Sequence, residues 1–278
     1  MKIVSTVKAL RNEIESWRAQ GDRVGLVPTM GAQHQGHLSL VEAARKRAER
    51  VAVSIFVNPK QFAPHEDFDR YPRELAADTK KLEQAAADLV FAPEISELYP
   101  DGFATVVDVA GPGTGLETDF RPHFFKGVAT VVSKLLIAAL ADIAIFGEKD
   151  YQQLLVVRRA ARDLGIPTEI VGAPIVREED GLAMSSRNAY LNPQERRTAG
   201  TLNVILKRGI AQIRAGTPLA SVEASAYQAL CDSGFDTVDY VAVRDAEDLR
   251  VVSSIERPGR ILAAVRIGRT RLIDNMAI

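Results

Sequence analysis

Apolar residues recur along this chain in two rhythms: short unbroken runs, and longer stretches in which they return every three or four positions. The unbroken runs at 24–27, 51–57 and 143–146 read as strands covered on both faces, the pattern of a parallel sheet. The periodic stretches predict helices over 7–19, with Leu10, Ile14 and Trp17 on one stripe, then over 36–47, 74–87, 126–140 and 151–164. Shorter strands are expected at 3–4, 88–92 and 168–171, and the alternation over 104–109 predicts a more exposed one. Alternating strands and helices argue for an α/β fold built on a doubly wound, Rossmann-like parallel sheet. In such sheets ligands bind outside the carboxyl ends of the strands, where the loops 28–36, 58–62 and 147–150 gather.

The rhythm changes after residue 174. A polar loop at 177–188 precedes two helices, 193–215 and 219–233, and three strands, 239–244, 261–267 and 271–275, the last two joined by a turn at Gly268, Arg269 and Thr270. Helices followed by strands predict a smaller α+β domain, so the expected division is 1–174 and 175–278. A length of 278 residues favours two domains, at roughly 100–200 residues each.

Composition then narrows the function. Lys plus Arg number 35 against 36 Asp plus Glu, so no global basic field recommends a nucleic-acid partner, and any bound anion must be held by local donors. A single cysteine, Cys231, excludes a disulfide framework or a cysteine zinc site within one chain. The apolar region 127–146 contains Lys134 and Asp142 and reads as a buried helix running into a strand, not as a membrane span. The first residues are charged and amphipathic, without an apolar signal core. A cytoplasmic protein without a membrane partner is expected.

The chemistry concentrates at 23–40, RVGLVPTMGAQHQGHLSL, which holds two of the four histidines, His34 and His37, on either side of Gly36. A strand turning through Gly31 into a helix aims free N–H groups and the positive end of the helix dipole at one point, a place for phosphate. Imidazoles there can donate to oxygens of a phosphorus under attack. Residues three apart face one side of a first helical turn, and Gly36 leaves the backbone open to close approach. H-x-G-H arises by chance in only about a few chains per thousand of this composition, so nucleotidyl transfer is favoured over a decorated helix start. Other segments are less decisive alone. Gln61 follows the carboxyl end of a buried strand; Gln153 could be an idle surface glutamine. Glu148 and Asp150 suit a helix N-terminus as dipole partners, whereas Lys149 there calls for an anion nearby. Ser185 to Asn188 would pass for a turn with an N-cap.

Together, VPTMGAxHxGHLSLV, SIFVNPxQF, EDFDRYPR, FGEKDYQQL, REEDGLAMSSRNAYL and TRLIDNMAI resemble the pantoate–β-alanine ligase (pantothenate synthetase) family over nearly the whole chain. The resemblance implies condensation of pantoate with β-alanine through a pantoyl adenylate formed from ATP, with Mg2+ held mainly by the nucleotide phosphates and no dedicated protein metal site. Asp67 and Asp69 are accordingly expected to be solvated loop charges. It implies ATP contacts from Met30, Gly31, Ala32, Gln33, His34, Gln35, Gly36 and His37, from Gly147, Glu148, Lys149 and Asp150, from Val176 through its backbone, and from Met184, Ser185, Ser186 and Arg187. Catalytic roles fall on His37 as general acid and on His34, Lys149, Ser185 and Arg187. Gln61 and Gln153 would hold pantoate, an amide suiting both its carboxylate and its hydroxyl. A homodimer is implied as well. Departures from the family pattern are Gln33, Gln35, and the pair His123 and Phe124, where many members read Gly-His; His123 inherits no role. A nucleotidyltransferase with a phosphate-bearing acceptor would need a second phosphate cradle, a non-catalytic nucleotide-binding regulator would not need the histidine pair, and a nicotinamide dehydrogenase would need G-x-G-x-x-G.

Overall fold

The computed structural model describes residues 1–63, 66 and 68–278. Its chain order is β1 (Lys2–Val4), α1 (Val7–Arg18), β2 (Val24–Thr29), α2 (Gln35–Arg45), β3 (Arg50–Ile55), α3 (Leu75–Gln84), β4 (Leu89–Phe91), α4 (Ile95–Leu98), α5 (Glu117–Phe120), α6 (Phe124–Ala139), β5 (Ile143–Gly147), α7 (Tyr151–Asp163) and β6 (Glu169–Ala173), then α8 (Pro193–Arg214), α9 (Leu219–Asp232), β7 (Thr237–Asp245), β8 (Gly259–Ile267) and β9 (Thr270–Ala277). The expected elements are found, their ends shifted by no more than two residues apart from α3, which stops three residues early, at Gln84. The exception is 104–109, which pairs with no strand among the described residues. Its alternation is real, since Val107 and Val109 pack on Phe125 and Ala129, but its polar partner is a side chain: Val107 N donates to Thr130 Oγ1 at 2.9 Å.

Strands β1 to β6 form a parallel sheet in the order β1-β4-β3-β2-β5-β6. Because side chains alternate across a strand, Val24 and Leu26 of β2 join the core under α1, α6 and α7, while Val27 joins the one under α2 and α3. Both faces are thus covered, and the unbroken apolar runs follow. The winding reverses between β2 and β5, and a crevice opens there beyond the carboxyl ends of the strands.

Strands β7-β8-β9 form a separate antiparallel sheet. One face packs on α8 and α9 through Val243, Ile261, Ala263 and Val265; from the other, Tyr240, Ala242 and Leu262 enter the core of the larger sheet. That second burial explains why β8 (GRILAAVRI) is apolar almost throughout although antiparallel sheets usually wet one face. Buried charge pins the junction. Glu117 of α5 takes two bonds from Arg271 at 2.6 and 2.8 Å and one from the Tyr240 hydroxyl at 2.8 Å. No helix among the described residues is long and apolar enough to cross a membrane.

Candidate active site

The crevice at the winding reversal opens into a cavity of about 1210 Å³. Met30, His34, Gly36, His37, Gln61, Gly147, Lys149, Asp150, Gln153, Val176, Met184, Ser185, Ser186 and Arg187 all line it. Gly31, Ala32, Gln33, Gln35 and Glu148 do not, and each has another place in the structure.

After β2 the backbone passes through two successive left-handed residues, Gly31 at φ 89° and Ala32 at φ 53°. Glycine adopts this freely, whereas alanine there costs about 1–2 kcal/mol. The offset comes from Asp78, a buried acid on α3, whose carboxylate accepts from Ala32 N at 2.8 Å and Gln33 N at 2.7 Å. The expectation that these N–H groups point at a ligand is therefore corrected: an internal anion already holds them. Gln33 lies buried beneath the turn with its amide donating to Thr29 Oγ1 at 2.8 Å, and Gln35 is exposed.

His34 is the N-cap of α2, just outside the helix. Its Nδ1 accepts from Gly36 N at 3.1 Å, while its own N–H donates to His37 Nδ1 at 3.4 Å, a reciprocal cap made by two imidazoles. The rings sit 4.1 Å apart between centroids. A Cβ at Gly36 would come within 2.8 Å of the His34 ring, so the open space beside this glycine is filled by His34 itself. With both Nδ1 atoms accepting, each neutral ring carries its proton on Nε2. Burial, the neighbouring His34, Lys149 and Lys81 hold the His37 pKa down to about 3; burial and Lys149 lower that of His34 also. At neutral pH the pair are uncharged N–H donors.

Beyond β5, Glu148–Asp150 form a single tight turn opening α7. Lys149 faces the cavity, and no carboxylate among the described residues pairs with its ammonium. Glu148 turns away and accepts from Arg260 at 3.2 Å.

Gln61 is fixed by its neighbours. Asn58, itself buried, donates from Nδ2 to Gln61 Oε1 at 3.1 Å and to Gly127 O at 3.1 Å, and its Oδ1 accepts from the Tyr99 hydroxyl at 2.8 Å. Helix α6 approaches so closely that a Cβ at Gly127 would lie 2.2 Å from Lys60 O. Gln153 reaches the cavity one residue after Gln152, which is structural: it is buried and donates to Pro112 O and Gly115 O.

The segment 176–187 folds back on itself, with Met184 N donating to Val176 O at 3.0 Å. Ser185 is an N-cap, accepting from Arg187 N at 3.2 Å, so the capping reading holds alongside its place on the cavity wall. Phe124 offers its face to Arg121 at 3.8 Å. Arg121 in turn clasps Glu66 at 2.6 and 2.8 Å; burial works to raise the Glu66 pKa, and the bonds and charge of Arg121, with the Ala63 N–H and the charge of Arg187, together bring it below the usual value. His123 is exposed and outside the cavity, and Asp69 is exposed; Asp67 lies outside the described residues. No group of three potential metal ligands occurs among the described residues.

Sequence reading missed Asp78, Asn58, Glu66 and Arg121. Asn58 and Glu66 stand inside the segments SIFVNPxQF and EDFDRYPR, and Asp78 sits four positions before Leu82, an acid on the apolar stripe of its helix.

A family model described as pantoate-beta-alanine ligase matches residues 2–277. A pantothenate synthetase of Caulobacter vibrioides is 56% identical, with 99% of this chain and 98% of that protein covered. One of Mesorhizobium japonicum is 54% identical, covering 100% and 98%. A crystal structure of pantothenate synthetase from Thermus thermophilus superposes with a TM-score of 0.93 at 47% identity, covering 99% of both chains. A Francisella tularensis pantoate-beta-alanine ligase, complexed with beta-gamma ATP and beta-alanine, superposes at 0.84 with 32% identity, covering 99% of this chain and 97% of that one. The chain is an enzyme and belongs to the pantoate-beta-alanine ligase family.

Proposed function

We propose that this enzyme activates pantoate with ATP and passes the acyl group to β-alanine. A pantoate carboxylate oxygen attacks the α-phosphorus; the bond to the bridging oxygen breaks and pyrophosphate leaves. The β-alanine amine then attacks the acyl carbon, the bond to AMP breaks, and pantothenate forms after the amine loses a proton. Residues 1–174 would bind nucleotide and pantoate, and 175–278 would carry the Met184–Arg187 segment.

The observation that carries this reading is the convergence on one cavity of two neutral imidazole N–H donors, a lysine that no carboxylate among the described residues pairs with, and two glutamines. His34 and His37 donate from Nε2 to phosphate oxygens as charge builds, and Lys149 supplies the cation. His37 donates from Nε2, and pyrophosphate leaves as a stable anion that needs no proton at the moment of departure. Ser185, Ser186 and Arg187 follow the triphosphate, with Met184 beside them. Asp150 and Gly147 take the ribose side, and the Val176 backbone the base. Gln61 and Gln153 hold pantoate, and Phe62, Phe124 and Val128 wall that end of the cavity against water. The complex of the Francisella ligase with beta-gamma ATP and beta-alanine supports the same ligands here. The nucleotide phosphates are hard oxygen donors that fit Mg2+, which would offset phosphate charge when bound.

Pyrophosphate–ATP exchange measured with and without pantoate tests this. Exchange that requires pantoate is expected; no exchange under either condition rules the adenylate out.

A further inference from the structure

The turn carrying Lys149 has little of its own to hold it. It is three residues long, and Asp150 makes no side-chain cap to the helix that follows. Its anchor comes from the last strand, β9. The Asn275 side chain is buried, and its Nδ2 donates to Glu148 O and Lys149 O, each at 2.9 Å. Its Oδ1 accepts from Arg260 at 2.6 Å; Arg260 also bonds the Glu148 carboxylate at 3.2 Å and lies 3.6 Å over the Tyr151 ring.

The neighbouring residue holds the other phosphate-facing segment. The Asp274 carboxylate takes two bonds from Arg177, at 2.7 and 2.9 Å, and one from Asn275 N at 2.7 Å. Arg177 begins the segment that folds back through Ala183 to Ser185 and Arg187. Successive side chains on a strand point to opposite sides, so one dipeptide can hold both walls.

We propose that Asn275 is a positioning residue: its two donated bonds fix the height and direction of Lys149 in the cavity, and Asp274 ties that setting to the segment carrying Ser185 and Arg187. The proposal rests on the reading of Lys149 as the phosphate cation. A side chain amide that accepts from a guanidinium and donates to two carbonyls has a full set of partners, so Asn275 is rigid. That rigidity passes to the lysine backbone.

Two variants test it. Asn275→Asp keeps the shape and the Arg260 contact but replaces the two N–H donors with a charged oxygen; Asn275→Ala removes the side chain without adding charge. Each is made alone and on a Lys149→Ala background, and each is measured by thermal melting, pantoate-dependent pyrophosphate exchange and calorimetric binding of a nonhydrolysable ATP analogue. Expected is a loss of about 10- to 100-fold in exchange for both variants in the presence of Lys149. On the Lys149→Ala background the same substitutions should change exchange and binding by less than about threefold, since residues acting as a unit are not additive. Wild-type exchange in both variants overturns the proposal, and so does a full loss repeated without Lys149. A loss confined to Asn275→Asp marks simple charge repulsion and overturns it too. If the wild-type protein binds the analogue yet never exchanges, the adenylate reading fails separately, and the binding constants of the six proteins judge Asn275 alone.

Discussion

Two turns meet at the winding reversal, and they are built in opposite ways. The turn after β2 holds itself: His34 and His37 cap each other, Gly36 gives the ring room, and Asp78 reaches up from a helix of the same sheet. The turn after β5 is held from outside, by Asn275 and Arg260 of the second sheet, more than a hundred residues away in sequence. The first presents donors fixed by local geometry. The second presents a cation whose placement depends on how two sheets dock.

The largest expected effect lies in the first turn. His37→Ala should lower pantoate-dependent exchange by about two to four powers of ten, because it removes a donor and unseats His34. Rates near wild type would show that the imidazole pair is not at the reacting phosphate. Next comes the outside wiring: Arg177→Ala leaves the Asp274 carboxylate buried and unpaired, and should destabilise the fold by about 3–5 kcal/mol in chemical denaturation. A loss below about 1 kcal/mol would mean that the junction of the sheets is wet and weakly coupled. Asp78→Ala strands two N–H groups at a left-handed alanine and should cost about 2–4 kcal/mol, with the loss seated in the first turn. Hydrogen exchange can locate it: amides 31–38 should lose protection while those of β9 keep theirs.

A further effect is on pH. The folded His37 pKa, about 3, lies below the ordinary 6.5, so the unfolded chain binds the extra proton first as pH falls. Stability is then full above pH 6.5 and declines toward about pH 3, with a slope from this residue of up to about 1.4 kcal/mol per pH unit. His34 adds in the same direction. His37→Asn should flatten the slope measured between pH 6 and 4, and an unchanged slope would assign it to other groups.

The same contrast decides what could be read from the sequence. The parallel sheet was legible because burial on both faces writes unbroken apolar runs into β2, β3 and β5, and H-x-G-H was legible because its parts interact across three residues. The strand expected at 104–109 fails because an alternating pattern records which side faces the core and says nothing of a pairing partner. Gln33 and Glu148 share motifs with residues on the cavity wall yet point elsewhere, a matter of backbone direction that composition does not encode. Glu117 with Arg271, and Asn275 with Glu148, are pairs separated by 154 and 127 residues, and no local rhythm connects them.

The Asp78 carboxylate has one more consequence. A glycine-rich phosphate loop recognises its ligand with backbone, which no point substitution can delete. Here part of the backbone is committed to an internal acid, and the nucleotide contacts proposed above are made largely by side chains, each of them specified by a single codon. Such a site can be retuned in evolution one residue at a time, and lost the same way, while the turn beneath it keeps its shape.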